Sequence, residues 1–156
     1  MAKFLSDEFS IVYAFKPADN QAGVDGDSIN TAYVSHIMFL LQSGTVTGNA
    51  VLTVKSGASD GAKTTSETFY YRTAGADQAA TGADVYSAPT SATTLTLTEA
   101  TYDNQLLIIE VPVDALTAGQ PFVTLNLSSA ADAHNSSCVA ICKPRYGGAT
   151  AVSVIA

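Results

Sequence analysis

Tryptophan is absent from this chain, and histidine and cysteine occur twice each. Side chains that bind metals, attack substrates or shuttle protons are therefore scarce, and chemistry that depends on clustering them has little to draw on. Charge is sparse as well. Asp and Glu number 14 against 7 Lys and Arg, charged residues make up 13% of the chain, and the formal net charge is -7. Without an excess of cations to displace phosphate counterions, binding to nucleic acid is not expected. Long apolar runs are missing too: residues 37–41 (IMFLL) fall far short of the roughly 18 residues of a spanning helix, so no membrane partner is expected. In the opening residues 1–15, Asp7 and Glu8 interrupt the stretch that would have to be the apolar part of a secretory signal. Synthesis in a cytoplasm follows as the expectation.

What the chain does have is strand patterning. Residues 105–113 (QLLIIEVPV), 122–128 (FVTLNLS), 93–98 (TTLTLT) and 51–55 (VLTVK) alternate or run briefly apolar, and they are bounded by Gly, Pro, Asn, Asp and Ser. Strands are expected at about 7–15, 30–42, 45–56, 65–73, 93–98, 105–112, 121–128 and 137–143, with a possible last one at 149–155. The 156 residues, 47% of them hydrophobic, suffice for one core without staples. The fold class expected is all-β: a single β-sandwich of jelly-roll type with eight or nine short strands. The organisation is a domain over residues 1–146 and a C-terminal extension or arm over 147–156. In the second strand Tyr33, Ile37, Phe39 and Leu41 share one side and Val34, Met38 and Leu40 the other, which predicts a central strand covered on both faces. Ala50, Leu52 and Val54 point inward in the third. Residues 74–92 are small, polar and without period, as in a long surface loop. Helical turns are expected at 99–104, with Thr98 as N-cap, and at 114–119, ending at a glycine.

Each candidate site has a simpler competitor. Cys138 and Cys142 fall on one face of one strand, about 13 Å apart at about 3.3 Å per residue; that is too far for a disulfide, and the pair lacks the partners of a metal site, so two buried thiols are expected. Asp25 and Asp27 flank Gly26 as calcium ligands might, but the later acidic ligands are missing and a turn explains them. His36, on the face of Val34 and Met38, reads as a packed or interface histidine. His134 reads as part of an exposed loop. Asp132, Ser136 and Ser137 stand near His134, yet no nucleophile elbow surrounds a serine. Asn126 and Asn135 match a glycosylation pattern that has no meaning without a secretory signal. Phe69, Tyr70, Tyr71 and Tyr86 could form a sugar-stacking platform; in the simpler account Phe69 and Tyr71 share one strand face and Tyr70 the other, one set buried in the core and the other at a surface or subunit contact. No catalytic residue, cofactor or metal is assigned, and no enzyme is expected.

The segments 3–15 (KFLSDEFSIVYAF), 26–29 (GDSI), 111–127 (VPVDALTAGQPFVTLNL) and above all 143–146 (KPRY) resemble small head-associated proteins of tailed bacteriophages, in which an apolar strand near the end leads into Pro-Arg-Tyr. The resemblance spans most of the chain, which departs from the pattern by continuing through residues 147–156. It implies a virion structural protein at the capsid surface that decorates or cements the shell, with the major capsid protein as partner. Together with the doubly apolar second strand, it leads to the expectation of a homo-oligomer, a trimer. The alternative is a tail or fibre component, or a carbohydrate-binding sandwich. Interface candidates are Lys143, Pro144, Arg145 and Tyr146, with Val152, Val154 and Ile155 from the β-prone tail. That tail is read either as an arm that adds to another sheet or as a last strand folded onto its own; residues 1–7 could act as a lesser arm.

Overall fold

The computed structural model describes residues 8–77, 80–145 and 153–155. Among the described residues twelve strands occur in chain order: β1 (Ser10–Asp19), β2 (Val24–Asp25), β3 (Ile29–Asn30), β4 (Val34–Val46), β5 (Ala50–Gly57), β6 (Thr65–Glu67), β7 (Phe69–Thr73), β8 (Thr90–Ala92), β9 (Leu95–Leu97), β10 (Leu106–Val111), β11 (Phe122–Leu127) and β12 (His134–Pro144). A single helical turn, α1 (Glu99–Tyr102), precedes β10, and a 3₁₀ turn at Val113–Ala115 follows it. Thr98 is the N-cap residue as expected but makes no side-chain capping bond. The second turn stops at Ala115, well before Gly119, whose φ of +79° is left-handed.

The strands pair antiparallel in a nested way: β1 with β12, β2 with β11, β4 with β10, and β5 with β6. This is one long hairpin with its tip between β5 and β6. Rolling it up brings β12 beside β4 and β11 beside β5, which gives two sheets ordered β1-β12-β4-β10-β7-β8 and β2-β11-β5-β6. The result is the jelly roll, an all-β sandwich as the strand pattern predicts. The strand count exceeds eight or nine because the two-residue strands β2 and β3 precede β4 and because the run at 65–73 breaks at Thr68, with Thr65–Glu67 in the second sheet and Phe69–Thr73 in the first. Part of the loop expected at 74–92 is also strand, since β8 pairs with Phe69–Tyr71.

Alternation sets the core. Ile37, Phe39 and Leu41 of β4 meet Ala50, Leu52 and Val54 of β5 across the sandwich, joined by Leu107, Ile109 and Val111 of β10 and Val123, Leu125 and Leu127 of β11. Cys138 and Cys142 point inward from β12, fully buried and free. Burial pushes both thiols up, that of Cys142 to about 12, because a thiolate loses its hydration inside the sandwich. An aromatic disulfide reagent at pH 8 is therefore expected to label neither thiol in the native protein. Relative to guanidinium-unfolded chain the rate should be lower by at least about 10³-fold; labelling at a comparable rate would contradict this burial.

β4 differs from its expected form in three ways. It starts at Val34 and runs to Val46, through Ser43 and Gly44, because β12 accompanies it over that length. The register shifts between Lys143 and Pro144, which turns Val34 inward and leaves Tyr33 outside the strand and 42% exposed. Finally, Met38 and Leu40 are only half-buried, on the outer side of the first sheet, so the strand is covered on one face and not on two.

The true turn between β4 and β5 lies at 47–49 and packs on the loop before β12. Thr47 and Gly48 both donate to Ala133 O, at 2.9 and 3.2 Å. A Cβ on Gly48 would stand 2.5 Å from the amide nitrogen and the carbonyl oxygen of Asp132, both backbone atoms that cannot swing away. Gly48→Ala is expected to lower the unfolding free energy by about 1–3 kcal/mol. Gly44→Ala, which would meet Asn135 at an ordinary 3.5 Å, should change it by less than about 1 kcal/mol. Urea midpoints for the two variants check the difference.

Candidate interaction surface

The histidines and their neighbours do not converge on a site. His134 is not in an exposed loop; it is the first residue of β12 and is fully buried, because the 47–49 turn closes over it. Its Nδ1 lies 3.2 Å from Gly48 O, and its backbone N–H donates to Asp19 Oδ1 at 3.0 Å. The nearby serines are engaged elsewhere. Asn20 Nδ2 donates to Ser136 Oγ at 2.8 Å, and Ser137 Oγ donates to Gln42 Oε1 at 3.2 Å. A shallow groove of about 370 Å³ runs beside them, lined by Pro17, Asp19, Gln42, Gly44, Asn135 and Ser137 among others. It is open and amide-rich, and it holds no paired nucleophile and base. Among the described residues no group of three or more His, Cys, Asp or Glu is placed to hold a metal.

Asp25 belongs to the outer face of the second sheet. Its carboxylate accepts from Lys63 Nζ at 2.7 Å and from Asn126 Nδ2 at 2.7 Å, and Thr53 Oγ1 in turn donates to Asn126 Oδ1 at 3.0 Å. Partial burial pushes the Asp25 carboxyl up, but the two hydrogen bonds and the Lys63 charge outweigh it and hold the group below its ordinary value. Asp27 Oδ1 accepts from Ser28 N–H. The two carboxylates serve a polar ladder and a turn. Asn126, read from sequence as a glycosylation match, is a member of that ladder.

The outer face of the first sheet is a different kind of surface. Register places Tyr13, Val139, Leu40, Ile108 and Arg72 side by side in one row across β1, β12, β4, β10 and β7. The next row is Ile11, Ile141, Met38, Glu110 and Tyr70. Ile11 is 58% and Tyr13 66% exposed, while Met38, Leu40, Ile108, Val139 and Ile141 are half-buried. His36 lies on this face, exposed, with Nε2 4.0 Å from Glu110 Oε1 and Lys143 opposite it on β12. A contiguous apolar sheet face of this kind is the candidate interaction surface of the molecule. The sequence pattern contains it, as the second apolar side of β4, but the pattern assigned that side to the interior.

Of the aromatic set, Phe69 and Tyr71 turn inward, with ring centroids 6.4 Å apart, and Tyr70 turns out. Tyr86 is half-buried, bridged through Ala74. Tyr13 and Tyr70 stand on β1 and β7 with three strands between them, so the outward rings make no continuous stacking platform.

Of the C-terminal candidates, Lys143, Pro144 and Arg145 stand beside the start of β4. Lys143 is exposed on β12, and Pro144 ends that strand opposite Val34. Arg145 N–H donates to Tyr33 O at 2.8 Å, and its Nη2 donates to Val34 O at 3.3 Å, which ties the Pro-Arg segment to the start of β4. Tyr146 and Val152 lie outside the described residues, as do residues 1–7. Val154 is 2% exposed within the core cluster, its carbonyl accepts from Asn30 N–H at 2.8 Å, and Ile155 bridges to Ile29. Residues 153–155 thus lie against β3 of their own chain.

The class defined by this topology is a jelly-roll β-sandwich, and no helix among the described residues is long and apolar enough to cross a membrane. No protein-family model and no curated protein matches the chain. Among solved structures, the fold is similar to that of the SPBc2 prophage-derived protein YomS, with a TM-score of 0.50 and 10% identity, covering 85% of this chain and 92% of that chain. At that identity the likeness is one of fold.

Proposed function

We propose that this chain is a bacteriophage virion structural protein that decorates or cements the capsid through protein–protein contacts, with the major capsid protein as its partner. The observation that carries the reading is the apolar outer face of the first sheet, which runs over five neighbouring strands on a domain whose His134, Cys138 and Cys142 are sealed inside. A protein whose product is contact needs such a face in addition to its core. The resemblance of the 143–146 ending to head-associated phage proteins agrees with it, and so does a fold similar to that of a prophage-derived protein.

On this reading the protein works by binding, with no turnover. His36→Ala and His134→Ala affect assembly and folding respectively and abolish no reaction. Cryo-electron microscopy of purified particles that carry the chain tests the proposal. Density for the sandwich on the shell, against the major capsid protein, is the expected result. Density on the tail or a fibre, or specific binding of glycans by the isolated chain, would replace it with one of the alternative readings.

A further inference from the structure

We infer that the outer face of the first sheet is the contact between two copies of this chain, packed face to face; this rests on the reading of the protein as a contact protein. The charge distribution points to a second copy. The chain carries 14 carboxylates and a formal charge of -7, so two copies repel on approach unless the touching surfaces leave most of that charge outside. The outer face of the first sheet does so. Among the described residues on its rows, Glu110 is the one carboxylate, and it stands on β10, between Lys143 of β12 and Arg72 of β7. The other described acids lie elsewhere, for example Asp19, Asp103 and Asp132 toward one end and Asp27, Asp60 and Asp114 in turns or loops. A face that carries both signs around an apolar centre is complementary to itself, as a two-fold contact requires.

The dimensions agree. Five strands at about 4.8 Å spacing, read over the stretch from His36 to Gln42 with side-chain margins, give a patch of roughly 600 Å² per copy. That is close to the lower limit for a specific interface, about 1,200 Å² counted over both partners. Two such sheets can stack at about 10 Å with their side chains interdigitated, as the two sheets within one sandwich do. An interface of this size forms at high protein concentration, the condition met by copies held side by side on a surface.

Sedimentation velocity over a wide concentration range tests the inference. The wild-type chain is expected to pass from monomer to dimer. The double variant Ile11→Glu, Tyr13→Glu should weaken the dimer at least about ten-fold, because it puts like charges into the apposed faces. Lys55→Glu, on the outer side of the second sheet, changes the net charge by the same amount and should leave dimerisation unaltered. Thermal melts establish that each variant is folded, and Tyr13→Glu alone, at a residue 66% exposed, serves if the double variant is not. A monomer at every concentration, equal weakening by Lys55→Glu, or a trimer would each overturn the inference, since a face closed on its own copy leaves nothing for a third. The outcomes separate this inference from the virion reading, because a face closed on its own copy leaves the shell contact to another part of the sandwich: a face-dependent dimer that is absent from particles would sink the proposed function alone, and isolated copies on the shell with this face against another protein would sink the dimer alone.

Discussion

Phe39→Ala is expected to cost about 3–5 kcal/mol of stability, whereas Met38→Ala, its neighbour on the same strand, should cost about 1 kcal/mol or less. Phe39 is fully buried, on the central strand of the first sheet, with Ala140 opposite on β12 and Ile109 opposite on β10. The small Ala140 leaves the space that the ring fills. Its removal leaves a cavity between two sheets whose backbones are held by their ladders and cannot close over it. At roughly 2–4 °C per kcal/mol for a domain of this size, the melting temperature should fall by about 6–20 °C. Met38 points the other way, so its truncation removes half-buried surface and leaves no internal void. The two variants part again in association: Met38→Ala should weaken self-association while leaving the melt of the monomer nearly intact. Equal destabilisation by the two would mean that the outer face of β4 is covered within the monomer.

Deletion of residues 153–156 is expected to lower stability by about 2–4 kcal/mol, the sum of one buried valine side chain and one backbone hydrogen bond. Val154 is part of the core and its carbonyl is bonded to Asn30. Without it the Ile29 edge of the second sheet loses its cover and the Asn30 N–H loses its partner. A fall in the melting temperature of about 5–15 °C follows from the same conversion. The other placement of the tail, as an arm that serves a second body, makes the opposite prediction: an unchanged melt with loss of assembly. Differential scanning calorimetry on the full-length and shortened chains decides between them.

Much of the sandwich can be read from the chain. Period-two alternation marks Ile37, Phe39 and Leu41, then Ala50, Leu52 and Val54, as inward sets, and all six are buried. It also places Cys138 and Cys142 on one inward face and separates Phe69 and Tyr71 from Tyr70. These succeed because side-chain direction along a strand is a local property fixed by the pleat. The misses have the opposite character. Nothing local to the stretch around His134 says that the turn at 47–49 closes over it, 86 residues away along the chain. Ser43-Gly44 reads as a turn, yet the chain continues as strand there because β12 lies alongside.

The candidate surface was half legible for the same reason. Alternation shows that Met38 and Leu40 form a second apolar side of β4, and it cannot show what stands opposite that side. Covering one face requires the second sheet, and the nested pairing of β1 with β12 and β4 with β10 spends that sheet entirely on the other face. By itself the sequence determined the all-β class and the facing of most strands. The tertiary structure alone decided the order of strands in each sheet, the burial of His134, the docking of Val154 and the outward placement of the row from Tyr13 to Ile108. The physical reason is that facing is set within a strand, while burial is set by which distant strand arrives to cover it.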